Sequence, residues 1–226
     1  MSVFYESYGD AKGYETPNLN AKHIARFDKE VWEPSHVQKS MSCLEIGCGT
    51  GHFLNYLHHK GVEDIRAIDL DPKLTNIIPE QVRQYFQAID VFKFLDNAPS
   101  DKLYDRIFLF DVLEHFSAED GHKLLIALRQ IMAPHGEIVL KMPNASSPWG
   151  LKYQFGDITH ITSYTPDSIR QMAVSTGLVC RTCFPHVLGN RTRQKTDKLV
   201  QVILNKLIAE PLEIWEGNFF AILHRP

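Results

Sequence analysis

Leu44-Glu45-Ile46-Gly47-Cys48-Gly49-Thr50-Gly51 is the stretch on which the fold turns. An apolar strand carries one acidic residue near its end, and three glycines follow at alternate positions. Glycine lacks Cβ, so the backbone can turn sharply there and press close to a ligand. The spacing is G-x-G-x-G. The dinucleotide fingerprint is G-x-G-x-x-G, with a pyrophosphate resting on a helix N-terminus. Glu45, just before the turn, would repel a pyrophosphate. It suits a ligand that presents a cation, such as the ammonium group of an amino acid.

Outward from this loop, apolar runs alternate with helical patterns, the arrangement of a parallel sheet with crossover helices. Ser42–Ile46 reads as the first strand and 51–60 as a helix stopped by Gly61. Ile65–Asp69, 84–89 and 105–110 read as three more strands, and Asp71-Pro72 opens a turn and a short helix. Residues 118–132 form a long amphipathic helix ending at Pro134 and Gly136, followed by a strand over 137–141 and another helix over 166–176. Strands over 178–187 and 213–223 close the chain, with Gly217 and Asn218 able to interrupt the last. Residues 1–40 read as an N-terminal helical lid or extension, with a His-, Lys- and Arg-rich helix over 18–39. A further helix over about 194–209 is inserted between the last two strands of the domain 41–226. Both helices either cover the mouth of the site or only pack on the sheet.

Each of the first four strands ends near an acid: Glu45, Asp69, Asp90 and Asp111. In an open α/β sheet the ligand lies in the crevice at the carboxyl ends of the strands. Asp69 can accept both hydroxyls of a ribose, since an ionised carboxylate only accepts. Asp90 can accept from an adenine amine while the Val91 backbone N–H reaches a ring nitrogen. Asp111 lies where its carbonyl or carboxylate meets an amino-acid ammonium. Solvated strand ends or helix N-caps are the plainer reading of any one of these acids. Four in succession behind G-x-G-x-G point instead to S-adenosylmethionine (SAM), held by Glu45, Gly47, Cys48, Gly49, Gly51, Asp69, Leu70, Asp90, Val91, Asp111 and Val112.

On these residues the chain resembles the class I, Rossmann-like SAM-dependent methyltransferases over roughly residues 40–226. The glycine motif matches 44–51, the ribose-binding acid Asp69 and the adenine-binding acid Asp90. The resemblance implies an α/β fold with a seven-stranded, mostly parallel sheet, its last strand antiparallel and helices on both faces. It also implies methyl transfer from SAM.

Two stretches carry candidates for the acceptor side. In Asp111-Val112-Leu113-Glu114-His115 a helical turn would put residues 111, 114 and 115 on one face. Gly156-Asp157-Ile158-Thr159-His160 follows the fifth strand. A hydroxyl acceptor must lose its proton, so His160 is the candidate general base with Asp157 orienting it, and His115 stands beside them. The alternative is that His160 and His115 hydrogen-bond loops together. These stretches resemble sugar, polyketide-type and ubiquinone-biosynthesis O-methyltransferases. In some relatives comparable residues hold a divalent metal, which would make Asp111, Glu114, His115 and His160 a ligand set; no metal is favoured, because Asp111 cannot easily serve both SAM and a metal. Asn144, Ser147-Pro148-Trp149-Gly150 and Tyr164-Thr165 resemble methyltransferases of bacterial polysaccharide pathways. Trp149, Tyr153 and Phe155 suit a sugar or glycan, and Arg191, Arg193, Lys195 and Lys198 suit a phosphate on the acceptor. Rival readings are an N- or C-methyltransferase of a secondary metabolite, a SAM-binding regulatory protein without catalysis, and a nicotinamide oxidoreductase.

Composition narrows the field. At 226 residues the chain holds one α/β domain with a full core and is short for two. A net charge of −3 and the lack of an RNA-binding motif argue against nucleic acid as partner. No stretch approaches the ~20 apolar residues of a membrane span, and Met1–Glu6 has no leader character, so a cytoplasmic enzyme is expected. Cys180 and Cys183 form a C-x-x-C in an expected strand. Strand residues three apart face opposite sides, so they are expected to be separate thiols rather than a zinc or redox pair.

Overall fold

A computed structural model describes residues 8–99 and 101–226. The leader reading of Met1–Glu6 and the first part of the 1–40 extension lie outside the described residues. Seven strands form one sheet: β1 Cys43–Ile46, β2 Ile65–Asp69, β3 Phe86–Ala88, β4 Tyr104–Phe110, β5 Met132–Pro143, β6 Val179–Pro185 and β7 Asn218–His224. Their order is β3-β2-β1-β4-β5-β7-β6, and β7 runs antiparallel to both its neighbours. The chain leaves β1 toward β2 on one side and returns to β4 on the other. That reversal opens the crevice at their carboxyl ends.

The pattern of burial shows why β1 sits in the middle. All four of its residues are buried, as a strand covered on both faces requires. Leu44 and Ile46 face a core that includes Leu124, Leu125 and Leu128, with Ile169 and Ala173. These come from α5 (Ala118–Gln130) and α7 (Pro166–Ser175), which follow α4 (Val91–Asp96) and a single turn α6 (Leu151–Gln154). Cys43 faces the opposite core, built on Phe53, Leu54, Tyr56 and Leu57 of α3 (His52–His59). Phe27 of α2 (Ala21–Phe27) closes this second core, after a short N-terminal helix α1 (Tyr8–Lys12). Each such buried side chain contributes ~1.5–3 kcal/mol.

Three differences from the sequence reading have local causes. β5 begins at Met132, not 137: Met132 pairs with Tyr104, residues 133–136 bulge out opposite Asp105, and pairing resumes at Arg106–Glu137. Pro134 and Gly136 therefore shape a bulge inside the strand. β7 starts only at Asn218, because side chains seize the backbone before it. Asn144 Nδ2 donates to the carbonyls of Ile214 and Glu216, and Ser147 Oγ to that of Trp215. The N-terminal helix of 18–39 is shorter, α2 running into a widened turn over Asp28–Trp32.

Cys180 and Cys183 are free, half-buried thiols as expected, but the expectation that they face opposite sides is corrected. The β6–β7 register slips between Cys180 and Thr182, and this bulge turns both sulfurs to one side, 3.6 Å apart.

The inserted helix is α8, Arg191–Leu207. Among the described residues no helix is long and apolar enough to cross a membrane.

Candidate functional site

The three glycines of the loop all have positive φ, +68° at Gly47, +51° at Gly49 and +76° at Gly51. Their surroundings differ. A Cβ on Gly47 would lie 2.4 Å from Val112 Cγ2, and one on Gly51 would press on Ile78 at 3.1 Å. A Cβ on Gly49 would meet nothing within 4 Å. Gly47 and Gly51 thus allow the loop to pack on the protein, while Gly49 fronts open space above β1. Asp69 ties the loop down: its Oδ2 accepts from the Gly49 N–H at 2.9 Å and its Oδ1 from that of Asp71 at 3.1 Å. Burial raises the Asp69 carboxyl above its usual range, partly opposed by these backbone donors.

Glu45 is 4 % exposed and lies on the face of β1 toward α3. Gly51, the residue capping α3, has no side chain to offer, and the Leu54 N–H of that first turn hydrogen-bonds the Glu45 carboxyl instead. Its other oxygen, Oε2, is buried without a partner. Burial first, then the charge of Asp69, pushes this carboxyl well above its ordinary range. An orphaned carboxyl oxygen near the end of β1 fits the cationic donor, SAM.

The other acids behave differently. Asp90 caps α4, its Oδ1 accepting from the N–H groups of Phe92 and Lys93, which leaves its other oxygen out of the cap. Asp111 does not share a face with Glu114 and His115, as a helical turn would require. It has φ +56°, its side chain is exposed, and it pairs with Lys141 Nζ at 2.5 Å. Only Leu113–His115 forms a tight 3₁₀ turn, which carries Glu114 into the interior at 0 % exposure. Among the described residues no group of three or more His, Cys, Asp or Glu side chains is placed to hold a metal ion.

The second group of candidates does assemble. The backbone of residues 161–162 is pinned to the Glu114 carbonyl, by the Ile161 N–H at 2.8 Å and the Thr162 N–H at 3.1 Å. This brings the ring centroids of His115 and His160 to 4.7 Å. His160 Nδ1 lies 3.1 Å from the Gln154 carbonyl. A carbonyl only accepts, so the proton is assigned to Nδ1 and the lone pair to Nε2. Nε2 points between two carboxyl groups, 3.9 Å from Glu114 Oε1 and 4.0 Å from Asp157 Oδ2. The orienting role expected of Asp157 is therefore taken by the Gln154 carbonyl, with Asp157 beyond hydrogen-bond reach. Asp157 is held by Thr159 Oγ1 at 2.6 Å, Tyr8 Oη at 3.1 Å and Lys12 Nζ at 2.7 Å. Burial alone would raise its carboxyl; Lys12 and Thr159 outweigh burial and hold it far below the usual range. Thr159 Oγ1 also lies 3.0 Å from His115 Nδ1. The His115 imidazole is held below its ordinary value by burial and then by His160.

Glu114 is the most exceptional group. Neither of its carboxyl oxygens has a hydrogen-bond partner. Burial first, then the charge of Asp111, pushes its carboxyl far above the usual range.

The sequence reading expected a lid or extension over residues 1–40 but not the contacts that its described part makes. Tyr8 and Lys12 of α1 reach Asp157, and Thr16 Oγ1 donates to the Ile77 carbonyl at 2.7 Å. Between these anchors lies Tyr14, whose phenol is pushed up to about 12 by burial and then by the charges of Asp69, Asp71 and Asp157. No spacing rule announces such contacts, because their partners lie far away in the chain. Gln154, Thr159 and Lys141 likewise gain meaning only once the loops meet.

The chain matches the family described as "Methyltransferase domain" over residues 17–182. No curated protein matches it. Among solved structures it is similar to a SAM-dependent methyltransferase from Archaeoglobus fulgidus, with a TM-score of 0.67 and 18% identity over 97% of this chain and 99% of that one. It is also similar to the N-methyltransferase NodS from Bradyrhizobium japonicum in complex with S-adenosylhomocysteine (SAH), with a TM-score of 0.65 and 15% identity over the whole of both chains. Magnesium protoporphyrin IX methyltransferase from Synechocystis, with bound SAH, has a TM-score of 0.64 and 13% identity over 99% of this chain and 97% of that one. At such identities the structures speak for the fold alone. Sheet order, glycine loop and the match over residues 17–182 agree, and the chain belongs to the class I SAM-dependent methyltransferases.

Proposed function

We propose that this enzyme methylates a hydroxyl group of a small molecule or glycan. The observation that carries this reading is His160 Nε2, a bare nitrogen directed between two carboxyl groups. SAM, when bound, supplies a methyl group on a positively charged sulfur. Glu45, Asp69 and Asp90, with the backbone from Gly47 to Gly51 and of Leu70, Val91, Asp111 and Val112, hold the donor. Cys48 lines the cradle with them. A hydroxyl is a poor nucleophile until its proton leaves. His160 accepts that proton at Nε2, and the carboxylate of Asp157 stabilises the imidazolium through space. Thr159, Tyr8 and Lys12 fix Asp157, and His115 packs edge-on against His160 to limit its rotation. A neutral amine would bring its own lone pair, whereas a hydroxyl needs a base to take its proton, so the cluster suits oxygen. Trp149 and Phe155, both exposed beside the Gln154 turn, offer flat apolar faces to a sugar ring.

The test is a screen of sugars, nucleotide sugars, phenols and amines, scored by mass spectrometry for a gain of one methyl, with and without chelator. A hydroxyl product is expected. His160→Ala should then lower turnover by ~10²–10⁴-fold with SAH affinity intact. Unchanged turnover would remove His160 from the chemistry, and loss of SAH binding as well would make its role structural.

The donor side has its own test. Asp69→Ala removes the acceptor of the Gly49 and Asp71 N–H groups together with the proposed ribose contact. SAH affinity by calorimetry should fall by ~1–3 kcal/mol; an unaltered Kd would place the ribose elsewhere.

A further inference from the structure

Helix α8 is mounted with its polar side inward. Gln201 Nε2 donates to Glu216 at 3.1 Å, and Asn205 Oδ1 accepts from Trp215 Nε1 at 2.8 Å. The apolar side faces water. Leu199, Ile203 and Leu207 recur every fourth residue and so line one stripe, 62 %, 49 % and 76 % exposed, with Val200 beside them. Lys195, Lys198 and Lys206 border the stripe on one side, and Arg193 on the other is paired with Asp197 at 3.0 Å. A globular helix normally does the reverse, burying its apolar stripe.

The exposed apolar area continues beyond the helix. Glu216, to which α8 is docked, adjoins Gly217, where a Cβ would meet Tyr153 and the Trp149 carbonyl within 3 Å. Trp149, Leu151 and Phe155 are exposed on that next segment, which leads through Gln154 to His160.

We propose that α8 docks the enzyme on the surface of an anionic lipid bilayer, its apolar stripe in the acyl boundary and its lysines on the headgroups. An apolar stripe rimmed by Lys is the pattern of helices that lie in the membrane interface. Charge decides between this occupant and a second copy of the chain. The whole chain carries −3, yet this face is positive, so an anionic surface attracts it and orients it. A two-fold dimer about α8 would bring the lysine-rimmed face of one copy against the same positive face of the other. The inference does not depend on which atom is methylated, and its readout is independent of turnover.

The experiment is co-sedimentation of the full chain with vesicles of phosphatidylcholine alone and with about 30 % phosphatidylglycerol, at low and at high salt. Binding to the anionic vesicles at least ~10-fold above the neutral ones is expected, and should weaken with salt. L199Q/I203Q should lose it by ~10-fold or more, and K195E/K206E should lose the preference for phosphatidylglycerol. Neither variant touches Gln201 or Asn205, and unchanged SAH affinity and circular dichroism would verify their folding. Equal binding to both vesicle types, binding to neither, or a dimer in analytical ultracentrifugation that L199Q/I203Q dissolves would each overturn the proposal.

Discussion

Gly47→Ala is expected to unfold the donor site and to lower stability by ~2–5 kcal/mol. Two costs add. At φ +68° any L-residue other than glycine is held in the left-handed region, at ~1–2 kcal/mol. The new methyl would also stand 2.4 Å from Val112 Cγ2, a contact no real structure tolerates. Val112 cannot step aside cheaply: it is 9 % exposed, belongs to the core and follows Asp111, itself at φ +56° and bonded through its N–H to the Lys141 carbonyl. Overpacking of this kind costs ~1–3 kcal/mol. Gly49→Ala is the informative contrast. Its Cβ meets nothing within 4 Å, so only the backbone cost applies and the fold should survive, yet the methyl enters the space assigned to the donor. Chemical denaturation together with SAH calorimetry separates the two. Gly47→Ala should fail both measurements and Gly49→Ala chiefly the second. Wild-type stability for Gly47→Ala would mean that the loop rests on something other than its contact with Val112.

That contrast also shows what the sequence could and could not disclose. The alternation of G-x-G-x-G and the acids after each strand are local signals, and they identify sheet class and donor because each depends on a few neighbouring residues. They do not reveal that Gly47 answers to Val112 and Gly49 to empty space, since this depends on how two strand ends are juxtaposed. The expected common face of Asp111, Glu114 and His115 failed for a similar reason: Asp111 leaves the helical region to meet Lys141, a partner thirty residues on. Gly-Asp-Ile-Thr-His could be picked out by residue type. Its geometry is set by the backbone anchor on the Glu114 carbonyl and by Gln154, which carry no motif. The C-x-x-C reading assumed a regular two-residue alternation, and one bulge reversed it. Which side of α8 turns inward was not legible in the sequence either. Periodicity reports that a helix has an apolar stripe, but not which side the rest of the chain will cover.

Glu114→Gln is expected to make the protein more stable at alkaline pH and to flatten its stability curve. The Glu114 carboxyl is fully buried, neither oxygen is hydrogen-bonded, and burial and Asp111 raise its folded-state value far above the unfolded 4.5. Below 4.5 both states hold the proton and its contribution to stability is fully present. As pH rises past 4.5 the unfolded chain releases the proton while the folded chain retains it, so unfolding becomes progressively easier. The loss continues until pH passes the folded-state value, where both states are ionised and it levels off. Glutamine has the same shape and no such titration. The difference between the two proteins should therefore grow from near zero at pH 4.5 to on the order of 3 kcal/mol in mildly alkaline solution, in favour of the variant. Asp157 works in the opposite direction, its lowered value giving stability that is lost only in acid, so subtracting variant from wild type isolates Glu114. The measurement is urea unfolding at several values of pH. Parallel curves would mean that water or another donor satisfies this carboxyl and that it is ionised like any surface glutamate. A widening gap would establish a neutral, proton-bearing acid 3.9 Å from His160. A neutral Glu114 leaves the negative charge beside Nε2 to Asp157, the carboxylate assigned to the imidazolium.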